Sequence, residues 1–402
     1  MFAESQAFCS FFSNYPFETS KNFKSLYEYI PALCSIAQSD SPLPCIVNAL
    51  GLASRSSHAD PLRVEAAASS WYNRTVYKIN NSIRDCELVK LDQTLLVVLL
   101  LGVYETNIPS SPQSMTTWLN HVKGAAALLD LRGEEQLDSE LGRSLFIQAR
   151  TYIIASCYLT RSPIPDIVIQ LSQRCRDRSA DPLEDLSLII FQFCNIRAGI
   201  PFNPPPNQSE STTRVTAAHY TSVAEQLANW HAGLSPTFLP LIVTVGKGSS
   251  DILSEHYDVY EDTWTAAIVN NYRANHLLVH EALISQLAFL RVRYCQDPTE
   301  LLKLEDQISR SRSTILSLIN AICASVPSLL QTKCAAAGVG LLWPLYVAAQ
   351  ISPRTAPVLA ATRVWIIGRL TKIDTDMGLH QAAMLAGLLY EDIEVTELLK
   401  DG

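Results

Sequence analysis

TTWLNHVKGAAALLDLRG, running from Thr116 to Gly133, is the stretch whose reading decides the fold class. Trp118, Val122, Ala125, Ala126 and Leu129 recur in it at three- and four-residue steps, which sets them on one stripe of an α-helix facing a core. Thr116 or Thr117 is placed to cap the start, and Gly133 to end it. Gly124 sits mid-helix, where glycine costs about 1 kcal/mol against alanine, so a neighbouring backbone is expected to approach it closely. His121 stands three residues after Trp118 and three before Gly124, all on one helical edge. A histidine there is expected to hydrogen-bond a packed partner. Arg132, near the helix end, complements the macrodipole, and Glu105 is the carboxylate expected to pair with it.

Outward from this stretch the same periodicity continues and no strand-like alternation persists. Helices are expected over Pro42–Ser54, Pro61–Ile83, Asp92 to about Tyr104 and Glu140–Thr160, with a break at Arg161–Pro165. Pro61 is tolerated in a first turn, and Asp92 can cap its helix. Further helices are expected over Val215–Trp230, Tyr260–Arg293, Glu300–Ser325, Ala335–Ala349, Ala356–Ile373 and Met377–Leu399, with a less regular stretch before about Asp258. The expected class is therefore all-α: a multi-helix, orthogonal or bundle-like domain without a sheet. Residues 1–40 read as an irregular leader rich in aromatics (Phe8, Phe11, Phe12, Tyr15, Phe17), and 41–400 as a single all-helical domain. The segment AGIPFNPPPNQSEST, residues 198–212, reads as a loop between two halves, because consecutive prolines forbid helix continuation. No repeat at a fixed period points to a solenoid.

Composition narrows the class of function. Of 402 residues, 48% are hydrophobic and 17% charged, which excludes wholesale disorder and predicts much buried helix surface. The formal net charge is -8, so the chain as a whole offers phosphates no attractive field. Its densest basic group, Arg174, Arg176 and Arg178, is diluted by Asp177. Direct nucleic-acid contact is not expected. The strongest apolar run, Thr94–Tyr104, is about half of the roughly 20 residues that a bilayer crossing needs and reads as a buried helix, not a membrane span. MFAESQAFCSFF lacks the basic start and apolar core of a signal peptide, so a reducing compartment is expected. The sequons at Asn73 and Asn207 then carry no weight.

Ten cysteines stand no closer than eleven residues apart, whereas structural zinc sites place ligands about two to four residues apart. Cys157 and Cys323, in apolar helical surroundings, read as small buried hydrophobes. His276 and His280 are four apart with Glu281 following, but the order is neither HExxH nor HxxEH and no third ligand is evident, so no metal is expected. Glu255, His256, Tyr257 and Asp258 read as a solvated turn. No GxSxG elbow, phosphate loop, dinucleotide fingerprint or aspartate-rich diphosphate motif is present, so neither a catalytic residue nor a cofactor is assigned. Trp118, His121, Trp264, Tyr272, Trp343 and Tyr346 are the residues that can line an effector or substrate pocket, with core packing the simpler reading for each.

The order Trp118, His121, Gly124-Ala125, Leu129, Arg132-Gly133 resembles the central signature of the fungal-specific transcription factor domain, the regulatory part of zinc-cluster transcription factors; Gly124, Arg132 and Gly133 are then its structural residues. Upstream, SSWYNRTVYKINNSIRD (Ser69–Asp85) and DQTLLVVLLLGVYE (Asp92–Glu105) look like the two helices that precede that signature. Downstream, LANWHAGL (Leu227–Leu234), YEDTWTAAIVNNYRA (Tyr260–Ala274), AICASVPSLL (Ala321–Leu330), LLWPLYVA (Leu341–Ala348) and GRLTKI (Gly368–Ile373) echo its remaining blocks in order. Members of that family usually carry six zinc-binding cysteines beside a run of Lys and Arg, the module that enters the major groove; these 402 residues contain none.

The resemblance implies a regulator without its own DNA-binding module, acting on metabolic or natural-product genes. It would bind a zinc-cluster partner, a second copy of itself or a small effector, in the nucleus, with the cytoplasm also open. A truncated regulator is a further form of the same reading. The reading from another class is a repurposed helical enzyme of cyclase or isomerase type in natural-product biosynthesis, which needs a shaped apolar pocket more than a named motif.

Overall fold

Side-chain caps and first-turn prolines mark where the helices begin. The computed structural model describes residues 11, 25–53, 61–107, 113–178, 181–200, 204–205, 207–245, 251–294, 296–332, 334–355 and 359–393. Among them the first helices are α1 (Ile30–Ile36), α2 (Pro42–Ala53), α3 (Pro61–Ile83), α4 (Asp92–Asn107) and α5 (Gln113–Arg132). There follow α6 (Glu140–Thr160), α7 (Asp166–Arg178), α8 (Pro182–Gly199) and α9 (Glu210–Ala232). After a hairpin of β1 (Leu241–Thr244) and β2 (His256–Val259) come α10 (Thr263–Arg293), α11 (Pro298–Gln331), α12 (Ala335–Thr355), α13 (Ala360–Met377) and α14 (His380–Glu391). Ser139, Asp181, Ser209, Asp262 and Asp297 each accept a backbone N–H of the first turn of α6, α8, α9, α10 and α11, satisfying donors that the helix cannot.

The described residues are overwhelmingly helical, as the class read from sequence requires. Two helices organise the interior. Leu95 to Leu101 of α4 are buried on every side, which explains why that helix shows no polar stripe; it packs against α2, α3, α5 and α6, and against α14 from the far end of the chain. In the second half α10 takes the same place, flanked by α8, α9, α11 and α12. Both sets belong to one continuous apolar core, so the loop at 198–212 separates no independent cores; its residues 201–203 and 206 lie outside the described part. Between α6, α7 and α8 the core encloses an ion pair: Arg150, 1% exposed, bonds both carboxylate oxygens of Glu184 and the Ser172 hydroxyl.

Several expectations need correction. The domain is not without a sheet: β1 and β2 pair antiparallel, with Leu241 opposite Val259 and Thr244 opposite His256. Four-residue strands are too short to show a period, and Leu241 and Ile242 both face solvent, so no in–out alternation was there to read. The group Glu255–Asp258 is not a solvated turn. Its last residue, Asp258, is buried in β2 against Arg273 of α10, and Ser328 of α11 donates to its carbonyl.

The aromatic leader is not irregular throughout. Ser25 caps a 3-10 turn over Leu26–Tyr29 that runs into α1, and Phe11, Leu26 and Ile30 lie in the core; residues 1–10 and 12–24 lie outside the described part. The two helices expected over Ala356–Ile373 and Met377–Leu399 are both present with shifted limits: α13 runs on to Met377, Gly378 in the left-handed region ends it, and α14 covers His380–Glu391. Among the described residues one helix, α11, is long and apolar enough to cross a membrane by length and composition, a run longer than the Thr94–Tyr104 segment singled out from sequence; over half of its apolar window is buried inside the molecule.

Candidate functional site

The signature helix α5 sits with its apolar stripe inward: Trp118, Val122, Ala125 and Leu129 are buried. It begins at Gln113, three residues before the expected cap, so Thr116 and Thr117 lie within the helix. Gly133 ends it at φ +65°, a conformation that strains residues with a Cβ. Two further expectations about this helix fail. A Cβ on Gly124 would meet only the Val98 side chain, at an ordinary 3.9 Å, so no backbone approaches it. Arg132 pairs with Asp92 at the start of α4, not with Glu105.

Glu105 belongs to a different set of partners, and these make the first candidate site. Tyr72 of α3 donates its phenol proton to Glu105 of α4, and Tyr72 Oη lies 3.1 Å from His121 Nε2 of α5. A phenol has one proton, so with that proton on Glu105 the imidazole donates from Nε2 to the phenol oxygen. Ser114 also hydrogen-bonds the carboxylate. The Tyr72 ring stacks on Tyr104, with centroids 4.4 Å apart, and takes the His121 ring edge-on. Burial raises the Glu105 carboxyl above the usual carboxylate range against the opposing hydrogen bonds, and pushes the Tyr72 phenol up with the carboxylate adding to it. Burial also holds His121 down to about 4, so at neutral pH the ring is uncharged and has one proton to donate. Three helices thus meet through a carboxyl, a phenol and an imidazole, a chain able to hold and pass a proton.

A second polar cluster lies in the other half. Tyr272, His276 and His280 occupy successive turns of α10: Tyr272 Oη is 3.1 Å from His276 Nδ1, and His276 Nε2 is 3.1 Å from His280 Nε2. From α9, His231 stacks face to face on Tyr272 at 4.9 Å, and Trp230 packs beside it at 5.3 Å. Burial holds His276 down to about 3, with the neighbouring His280 and His231 adding to it, and His280 down to about 4.

The six residues singled out from sequence therefore do not line one pocket. Trp118 meets Tyr152 edge-on and covers Gly102 of α4, where a Cβ would stand 3.5 Å from its ring. His121 belongs to the Tyr72–Glu105 network and Tyr272 to the histidine cluster. Trp343 stacks on Tyr346 and meets Tyr158 of α6 edge-on, in a third aromatic group that Arg197 closes by lying 3.6 Å above the Tyr158 ring. Trp264, at the start of α10, packs half-buried against the core. Sequence reading missed Tyr72 and Glu105 as the partners of His121, since the three sit on three helices and share no local spacing. It did single out the pair His276 and His280, whose four-residue step is the visible sign of their contact. Among the described residues no group of three or more His, Cys, Asp or Glu is placed to hold a metal ion.

Comparison with known proteins adds little. No protein-family profile matches the chain, and no solved structure does. A protein of Emericella nidulans described only as uncharacterized is 29% identical over 97 residues, which is 24% of this chain and 20% of that protein. The chain thus aligns with about a fifth of that relative's length.

Proposed function

We propose that the chain is a transcription-regulator-like protein that works without a DNA-binding module in these residues, through a partner regulator or a small effector. The observation that carries this reading is the internal use of the signature's polar groups. His121 is bound by Tyr72, Arg132 by Asp92, and Gly133 supplies a backbone turn. These residues hold α3, α4 and α5 together, as a domain that transmits a packing change requires and as a catalytic site, which must turn its polar groups toward a substrate, does not. Regulation would then proceed by ligand or partner binding to one of two helix packings, shifting their populations in proportion to its differential affinity. Nuclear location and action on metabolic genes follow from the family resemblance.

Tethering tests this directly. The chain fused to an unrelated DNA-binding domain, expressed in fungal cells with a reporter gene, is expected to raise or lower the reporter at least severalfold, and Arg132→Ala is expected to abolish the change. A reporter indifferent to the tethered chain would contradict the proposal. The enzyme reading, a cyclase or isomerase type, is favoured by one observation: the Tyr72–Glu105–His121 chain joins groups suited to general acid and base chemistry. Its mark would be a change in a metabolite on incubation with the purified protein that Glu105→Gln removes.

A further inference from the structure

His276 and His280 stand on one face of α10, separated by a single turn, and their Nε2 atoms converge to 3.1 Å. Two imidazole nitrogens at that separation can hold one ion. With metal–nitrogen bonds of about 2.0–2.1 Å, a 3.1 Å nitrogen–nitrogen distance corresponds to an N–metal–N angle of about 100°, inside the range of tetrahedral and tetragonal coordination. The linear geometry of a two-coordinate ion would need the nitrogens much further apart. We propose that His276 and His280 form a bidentate site for a divalent transition metal of the copper–zinc class.

Three features of the surroundings fit that assignment. The contact between the two rings leaves room for one proton only, so one Nε2 is already a bare lone pair; on metal binding the bridging proton moves to the Nδ1 of the ring that carries it, and both rings ligate as neutral imidazoles. Tyr272 Oη, 3.1 Å from His276 Nδ1, can accept from Nδ1–H in the tautomer whose bare Nε2 faces the metal. Such an outer hydrogen bond is what orients ligating histidines elsewhere. The stacked His231 and Trp230 in turn hold Tyr272 in place. His280 Nδ1, by contrast, is buried with no hydrogen-bond partner, so the resting pair is not a fully satisfied core network. Both rings are neutral at pH 7, the state in which imidazole ligates. Affinity should follow the usual order, with copper(II) above nickel(II) and zinc(II).

The test uses the full chain and copper(II) sulfate as probe, in a buffer free of chelating amines. Calorimetry is expected to show one equivalent bound at least tenfold more tightly than any other, and His280→Ala to lose that equivalent while retaining the helical circular dichroism of the parent. Pulsed electron paramagnetic resonance on the one-to-one complex is expected to show two imidazole nitrogens on one copper. That reading needs no variant, so it decides the matter even if His280→Ala fails to fold. A spectrum with one imidazole or none would overturn the proposal, as would a tight equivalent that survives in His280→Ala, which would place the ion on other surface groups.

Discussion

At the scale of single residues, the glycines separate what a helix tolerates from what it needs. Gly124 faces only the Val98 side chain at 3.9 Å, so Gly124→Ala should raise stability by up to about 1 kcal/mol through helix propensity, seen as a higher urea midpoint. Gly142 is the opposite case: a Cβ there would stand 1.8 Å from the Gln136 carbonyl oxygen. Gly142→Ala should cost about 1–3 kcal/mol or more, in the same measurement. Tyr72→Phe removes the bond to Glu105 and the one from His121 together, which should cost about 1–3 kcal/mol. Much of the signature was readable one residue at a time: the inward stripe and the Gly133 stop follow from spacing and from glycine's freedom at positive φ. The partners of His121 and Arg132 were not readable, because Tyr72 and Asp92 lie on other helices and only packing brings them near.

The buried histidine His276 also carries a pH signature. Its folded value is depressed to about 3 from an ordinary 6.5. A depressed group contributes stability that is present above its unfolded pKa and is lost as pH falls toward its folded one. Because His276 is 4% exposed, the loss should approach about 1.4 kcal/mol per pH unit between roughly pH 6 and pH 4. Urea midpoints at pH 7 and pH 5 check this, and His276→Gln should reduce the difference by its own share, with His121 and His280, also held down by burial, supplying the rest.

At the scale of elements, the Arg150–Glu184 pair joins α6 to α8 through the interior. Removing one partner leaves an uncompensated buried charge, so Glu184→Ala should cost about 3–5 kcal/mol. Replacing both with apolar residues of similar volume, as in Arg150→Met with Glu184→Leu, should recover most of that loss; thermal melts of the two variants and the parent decide it. Helix limits were legible where a proline, a capping residue or an αL stop stood at the end, so that Pro61–Ile83 and Glu140–Thr160 were read as they occur. The hairpin was not, because its strands are four residues long and Asp258, the polar group at its centre, is buried only through its pairing with Arg273 fifteen residues later. Strand identity there is imposed by α10 and α11, not by local preference.

At the scale of the molecule, one core runs from Phe11 to Leu389, and α4 and α10 carry the burial of its two halves while α14 returns to touch α4. An event that shifts α14 or α12 can therefore reach the signature helices through packed side chains, the physical condition for an effector in one half to alter a surface in the other. The all-helical class was legible in composition and periodicity; the routing of the chain through a shared core was not, since it depends on contacts between residues hundreds of positions apart. The central proposal, that this chain acts as a regulator, is tested most directly by disrupting the gene in its source cells and profiling transcripts and small molecules from the same cultures. The account predicts that a defined set of transcripts rises or falls together. Steady transcripts, with one metabolite accumulating and its successor missing, would contradict it.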